Sequence, residues 1–431
     1  MQPAIDLLQA INDSSKPADA VIANFLRDRD WLTGHARGVT LRRVDDVLRR
    51  RSQLDWWIAR EARGLPPTAR LRMIAHLIVA EGQPIERIET LFDGGRYRPR
   101  RLDEREQAFS AAVANRSLLD PAMPSHVRGS FPQWLEPHLR EAFGDDLDIE
   151  MQALAAPAPL DLRVNTLKST LAAARALIRA QGVEADPTPL SPVGLRVAYR
   201  IDLGQFPALH DGVVEPQDEG SQVAALLTAA GPGQFVVDYC AGVGGKSLAL
   251  AAAMQGRGRI VAADVLSGRL QRARQRFKRA GAHNIETRET SSERKWFKRQ
   301  AGRVDRVLVD APCSGIGSWR RIPDARWRLR PGDIGELVRR QAEILREAAK
   351  LVRPGGRLVY VTCSVLRCEN AGQVEAFLAD HGAFSVKPIA AVWGETIGGS
   401  CPTDAPYLQL TPARHGTGGF FVAILERKAT D

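Results

Sequence analysis

Cysteine is scarce here, with five in 431 residues, and none stands in a C-x-x-C pair. Without an even disulfide framework, a reducing compartment is expected. Cys363 and Cys368 are five apart and the chain holds only eight histidines, which argues against a structural zinc site. No apolar run reaches the ~18 residues needed to cross a bilayer. The first residues carry no basic-then-apolar signal pattern, and a cytoplasmic setting is expected. No internal repeat or low-complexity tract is present. Acidic residues are also in deficit, 50 Asp+Glu against 60 Lys+Arg, a net charge of +10. That balance suits a polyanionic partner, nucleic acid before membrane.

What is present is enough apolar sequence, 44%, for two or three packed domains. Residues 1–120 read as all-helical. Leu7, Leu8, Ile11, then Val21, Ile22, Phe25, Leu26, then Val44, Val47, Leu48, and Leu71, Ile74, Leu77, Ile78 recur at helical spacing, with Pro and Gly breakers between them. Two arginine groups lie here, Arg37, Arg42, Arg43, Arg49, Arg50, Arg51 and Arg96, Arg98, Arg100, Arg101. They read equally well as a solvated face or as phosphate contacts. Residues 121–215 read as a Pro-punctuated linker and a small α+β domain, with a strand over 160–167 and a helix over 171–181.

From residue 216 to 431, strand and helix alternate as in a parallel α/β sheet. Strands are predicted at 235–238, 260–263, 304–310 and 358–361, with a late antiparallel strand at 419–425. A helix is predicted with Asp333 and Glu336 in capping positions, ending at Pro354-Gly355-Gly356. The stretch V-D-R-V-L-V-D-A-P-C-S-G-I-G, residues 304–317, reads as a buried strand that ends in a reactive loop. Ligands of open α/β sheets bind beyond the strands' carboxyl ends. Asp310 and Cys313 stand there, either as chemistry or as a buried acid beside an inert thiol.

After the first strand comes Cys240-Ala241-Gly242-Val243-Gly244-Gly245-Lys246-Ser247. This Gly-rich turn suits a nucleotide-like ligand against backbone N–H groups. It is neither G-x-G-x-x-G nor a P-loop, whose first glycine would fall at Cys240, so ATP is disfavoured. Asp264, ending the second strand, could take the ribose hydroxyls of NAD or of S-adenosylmethionine. Two thiols at strand ends, Cys313 and Cys363, favour the latter. C5 of a pyrimidine is not nucleophilic until a thiolate adds to C6, and the resulting carbon can then attack an activated methyl. Asp310 could share a proton with N3 and hold the exocyclic amine of cytosine. Motif order alone does not say which thiol attacks.

These residues resemble the RsmB/NOP2/NSUN family of RNA cytosine-5 methyltransferases. The resemblance rests on Arg163-Val164-Asn165, Gln217-Asp218-x-x-Ser221, Asp238-x-Cys240-Ala241-Gly242-x-Gly244-Gly245-Lys246, Asp310-Ala311-Pro312-Cys313-Ser314-Gly315-x-Gly317, Arg321-x-Pro323-Asp324-x-x-Trp327, Thr362-Cys363-Ser364 with Glu369-Asn370, and Gly419-Phe420-Phe421. It covers Arg163 onward and, more loosely, what precedes. It implies a C-terminal Rossmann-like class I methyltransferase sheet and a NusB-like N-terminal helical domain, the latter pointing to 16S rRNA. It makes Cys363 the attacking thiol and Cys313 the one assisting release. It puts residues 240–246, Asp264 and Asp310 near S-adenosylmethionine, with Lys246 near Asp310. Two positions depart from the family pattern. Thr290 stands where an acid near the adenine amine is usual, with Glu289 or Glu293 as possible substitutes, and Val243 replaces a proline.

The expected function is S-adenosylmethionine-dependent methylation of C5 of a cytosine in RNA, 16S rRNA before tRNA, by a monomer without metal or membrane association. The cytosine must be unpaired or flipped out. Arg269, Arg272, Arg276, Arg279, Arg320 and Arg321 are candidate phosphate contacts, and Trp319 and Trp327 candidate stacking surfaces. A non-catalytic ribosome-assembly factor is the rival from another class. A DNA cytosine methyltransferase is disfavoured, because Ser rather than Gln follows Pro312-Cys313.

Overall fold

The computed structural model describes residues 1–199, 201 and 203–429. The chain divides into two units, Met1–Ala156 with Trp319–Leu329, and Pro157–Ser318 with Arg330–Asp431.

The first unit is all-helical. Its helices include Gln2–Asn12, Gly34–Arg49, Arg51–Glu61, Ala69–Ala75 and Glu104–Val113, around a core containing Leu7, Val44, Leu54, Trp57, Ile74 and Phe109. Local chemistry sets the ends. Asp103 and Glu106 form a reciprocal capping box, each side chain accepting from the other's backbone N–H at 3.0 and 3.1 Å. The segment Trp319–Leu329 belongs to this unit, although the strands on either side of it in sequence do not. Trp319 and Arg326 are fully buried. The Arg326 guanidinium donates to the carbonyls of Ser130 (2.9 Å) and Leu154 (3.2 Å) and lies 4.9 Å from the Trp319 ring. Trp327 donates through Nε1 to the Leu48 carbonyl at 2.9 Å, and the Ala18 N–H donates to Asp324 at 3.0 Å. Trp319 is therefore packed inside the helical unit, and Trp327 is half-buried against it. The Trp327 indole and the Arg326 cation are held by carbonyls far away in sequence.

The second unit starts with a four-stranded antiparallel sheet. Strands β1 (Leu160–Val164), β2 (Asp186–Pro187), β3 (Gly194–Val197) and β4 (Val214–Pro216) lie in the order β2-β3-β1-β4. Its helix Leu171–Ala180 is opened by Thr170, whose hydroxyl accepts from the Ala173 N–H. The larger sheet contains β5 (Phe235–Asp238), β6 (Arg259–Asp264), β7 (Ile285–Glu289), β8 (Val304–Asp310), β9 (Val352–Thr362), β10 (Phe384–Val386), β11 (Leu408–Leu410) and β12 (Phe420–Arg427). Its order is β10-β12-β9-β8-β5-β6-β7, with β11 also pairing β12. Strands β5 to β9 are parallel, and β12 runs antiparallel beside β9. The expected multidomain architecture, helical N-terminus, small α+β region and Rossmann-like sheet, is the one observed. Val307, Val309, Leu358 and Tyr360 pack on one face, Leu308, Val359 and Val361 on the other, and all are fully buried. This double coverage is why these strands read as unbroken apolar runs.

Two local expectations differ. The long helix is Pro331–Ala349, with Pro331 in its first turn and the Arg330 N–H donating to Asp333 at 2.8 Å. Asp333 thus caps the helix from its third position, accepting the N–H of the residue before the helix, instead of preceding the first turn. Strand β9 runs through Pro354-Gly355-Gly356, with a register shift opposite Val304 and Arg306 that absorbs the proline and glycines. No helix of the described residues is long and apolar enough to cross a membrane.

Candidate active site

The parallel strand order reverses between β5 and β8, because β6 and β7 extend one way and β8 and β9 the other. The loops after β5 and β8 therefore diverge and open a crevice. The β5 loop is tied to its neighbour: Ala241 N–H donates to the Ala263 carbonyl at 2.8 Å and Gly242 N–H to Asp264 Oδ2 at 2.9 Å. Gly244 then turns into the helix Gly245–Ala253 with φ +81°, and a Cβ there would meet the Phe277 ring at 2.3 Å. Only glycine makes that turn against that ring. A cavity of about 420 Å³ results, within the range of small-ligand sites. Cys240, Ala241, Gly242, Val243, Gly245, Lys246, Asp264 and Asp310 line it. Gly244 is not among the lining residues; it shapes the loop from behind.

Adenosyl-group binding fits this cavity on three observations. Backbone at the N-terminus of the helix Gly245–Ala253 lines it, as does the Asp264 carboxylate at the end of the second strand. Each Asp264 oxygen accepts one backbone N–H, from Gly242 and Leu266, and keeps a second lone pair. Thr290 lines the same cavity, whereas Glu289 and Glu293 do not. Glu293 is held by Arg288 at 2.5 Å and by the Glu289 N–H at 3.1 Å, and Glu289 accepts from Ser291 at 2.7 Å. The departure at Thr290 is thus met by a hydroxyl at the cavity wall, with both neighbouring acids engaged elsewhere.

Strands β8 and β9 are parallel neighbours, with Asp310 opposite Val361. Their ends place Cys313 Sγ and Cys363 Sγ 3.4 Å apart, both half-buried. The Gly317 N–H donates to the Cys363 carbonyl at 3.0 Å, and the Gly419 N–H to the Gly317 carbonyl at 2.9 Å. A Cβ on Gly317 would meet the Gly419 carbonyl oxygen at 2.1 Å, so glycine is required for these loops to close. The two thiols are electrostatically unequal. Hydrogen bonding from Cys313, with help from Ser318 and the nearby Lys246 cation, holds the Cys363 thiol below its ordinary value against its burial. The same bond, burial, and the charges of Cys363 and Glu369 push Cys313 well above. Of the two, Cys363 is therefore the one that gives up its proton more readily. Motif order could not make this distinction. The third candidate thiol, Cys240, is pushed up by burial and neighbouring carboxylates, as suits a loop residue whose backbone matters.

Lys246 Nζ lies 2.6 Å from Asp310 Oδ2 and 5.6 Å from the Phe420 ring. Beneath them Asp238 is fully buried; Ser247 donates to its Oδ2 at 2.7 Å and, among the described residues, its Oδ1 has no hydrogen-bond partner. Burial pushes its carboxyl up to about 7. In the sequence Asp238 ends the predicted strand 235–238 and opens a motif, and that polar stop on an apolar strand is the signal of its buried carboxyl.

Other expected contacts are redistributed. Arg276 and Arg279 both bind Glu215 of β4, at 2.9 and 2.5 Å, and so join the small sheet to the large one. In the helical unit Arg43 pairs with Glu81, Arg51 with Asp55, Arg98 with Asp93 and Arg100 with Asp103 and Glu106, while Arg49 is buried. These arginines are partly committed to internal acids. Arg269 approaches Asp264 at 3.9 Å and lines the cavity.

Two family models match the chain, one described as 16S rRNA methyltransferase RsmB/F over residues 225–426, the other as an RsmF/B-like ferredoxin-like domain over residues 131–203. Ribosomal RNA small subunit methyltransferase B of Pasteurella multocida is 35% identical over 309 residues, covering 70% of this chain and 66% of the relative. The protein of the same name from Salmonella arizonae is 34% identical over 313 residues, covering 72% and 70%. The matched region thus spans about two thirds of these relatives' length. Among solved structures, that of PH0851 is 26% identical with a TM-score of 0.78, covering 99% of this chain and 98% of that one.

Proposed function

Since the chain belongs to the RsmB/F family of rRNA methyltransferases, we propose that it methylates C5 of a cytosine in RNA, with 16S rRNA as substrate, through a covalent bond from Cys363 to C6. The observation that carries this reading is the 3.4 Å pair of thiols at the ends of two neighbouring strands, beside the Lys246–Asp310 contact. Bound S-adenosylmethionine supplies an electrophilic methyl group. The loop 240–246, Asp264 and Thr290 would hold it in the crevice.

The chain's own residues do the rest. Cys363 thiolate adds to C6, which makes C5 nucleophilic. Asp310, oriented by Lys246, accepts from the exocyclic amine and shares a proton with N3 as charge shifts into the ring. Cys313 assists release, in which a base takes the C5 proton, the C5–H electron pair restores the C5=C6 bond and the aromatic ring, and the S–C6 pair returns to sulfur as the Cys363 thiolate. The cytosine must leave its stack to meet these groups.

The test is methyl transfer from radiolabelled S-adenosylmethionine to unmodified 16S rRNA, with tRNA in parallel and 5-methylcytosine as the product analysed. Wild type is expected to label rRNA and Cys363→Ala to label nothing. Cys313→Ala is expected to leave protein covalently trapped on RNA. Label with Cys363→Ala would overturn the thiol roles, and label on tRNA alone would overturn the substrate.

A further inference from the structure

We infer that Glu369 is a positioning residue for the two thiols: its buried carboxylate ties the Cys313 loop and the Cys363 loop together and sets their register. This rests on the two-thiol reading above and assigns that site a residue outside the reacting groups.

Glu369 lies in the short turn Arg367–Glu369 after the Cys363 loop and is fully buried. Four donors converge on it. Oε1 accepts the Ser314 N–H at 2.8 Å and Gln341 Nε2 at 2.9 Å. Oε2 accepts the Ser314 and Ser364 hydroxyls, each at 2.5 Å. Ser314 follows Cys313 and Ser364 follows Cys363, so one oxygen atom holds the residue after each thiol. Gln341 Nε2 also donates to the Pro312 carbonyl at 3.0 Å. Cys313 is thus pinned on both sides, by Gln341 before it and Glu369 after it. Asn370 braces the other loop, accepting from Thr362 at 2.6 Å and donating to the Ser364 carbonyl at 3.1 Å.

No ion pair to Glu369 occurs among the described residues; its compensation is four neutral donors. A buried carboxylate without a cation is costly. What it supplies is an acceptor-only group with about four lone-pair sites. A glutamine would present its own N–H donors to this ring of donors. The requirement at this position is therefore for acceptance from both loops at once. The Glu369 charge also stands among the influences that keep the proton on Cys313, after the Cys363 hydrogen bond and burial.

The test reads the thiols directly and needs neither RNA nor methyl donor, so it stands even if the proposed substrate is wrong. The reduced full-length protein is alkylated with iodoacetamide across a pH series, and Cys363 and Cys313 are quantified by peptide mapping. Wild type is expected to alkylate first at Cys363. In Glu369→Gln, with Tm followed alongside, the Cys363:Cys313 ratio near neutral pH should fall about tenfold, the size of a one-unit thiol pKa change. The Cys363 midpoint should move up as it loses the Cys313 hydrogen bond. Glu369→Asp, which keeps the acceptors, should recover part of the ratio. An unchanged ratio in a folded Glu369→Gln protein would overturn the proposal. If that variant does not fold, Ser314→Ala and Ser364→Ala cut the two ties singly; each should lower the ratio, and no change in either would equally overturn it.

Discussion

Lys246 and Asp310 are separated by 64 residues in sequence and by 2.6 Å in space, as a largely buried ammonium against a carboxylate two-thirds covered. Lys246 leaves the first turn of the helix after β5 and Asp310 ends β8, so this contact links the two loops that flank the crevice. The Lys246 pKa is displaced by burial, which lowers it, and by Asp310, which overcomes that and raises it.

Removing one partner should therefore cost more than removing both. Lys246→Met is expected to destabilise the protein by about 3 kcal/mol, because Asp310 is left without its cation. Lys246→Met with Asp310→Asn should be less destabilised than the sum of the single changes. Urea unfolding of the four proteins gives the coupling, and strict additivity would show that the pair does not act as one.

Asp238 predicts a pH dependence of stability. Its carboxyl is raised by burial from 3.8 to about 7, so the folded state holds a proton that the unfolded state has released. The associated stability is complete below pH 4 and is lost as pH rises to about 7, on the order of 4 kcal/mol in all. Unfolding measured from pH 4 to 8 should fall along that slope in wild type, and Asp238→Asn should flatten it. Equal slopes in the two proteins would exclude Asp238 as the source.

Gly317→Ala should injure the site without touching a reacting group. The added Cβ would meet the Gly419 backbone at 2.1 Å, and neither strand end can yield cheaply. A loss of about 2 kcal/mol in stability is expected. A drop of about a hundredfold in kcat, as the Cys313 loop is displaced, should accompany it. Steady-state methyl transfer beside a thermal melt separates the two effects.

Arg326→Ala should weaken the helical unit. It deprives the Ser130 and Leu154 carbonyls of their donor and leaves a cavity beside Trp319. About 3 kcal/mol is expected from the lost bonds and the void together. Denaturation monitored by tryptophan fluorescence would check this, and a change below 1 kcal/mol would show that solvent fills the site.

Much of the large sheet was legible because its strands are buried on both faces. The runs ending at Asp238, Asp264, Asp310 and Cys363 needed no periodicity, only length and an abrupt polar stop. The same simplicity hid the short antiparallel strands Phe384–Val386 and Leu408–Leu410, three residues each, which are too brief for any pattern. The candidate site was legible as motifs, but its polarity was not. Which thiol loses its proton more readily depends on a 3.4 Å contact and on Lys246, Ser318 and Glu369, brought together by the fold. Arg276 and Arg279 looked free on their helix because Glu215, which holds both, lies about sixty residues away. Charge on a helical wheel shows which face is polar and says nothing of what another strand brings to it.

The segment Trp319–Leu329 sets an order of assembly. During synthesis the first 156 residues emerge early, yet the unit they form still lacks Trp319, Arg326 and Trp327. The carbonyls of Leu48, Ser130 and Leu154 wait for donors that the ribosome has not yet made. The amino-terminal unit is finished only when residue 329 has appeared, by which point β5 to β8 are already out. A protease cutting near residue 157 would leave the amino-terminal unit incomplete, since its residues 319–329 would stay with the other fragment.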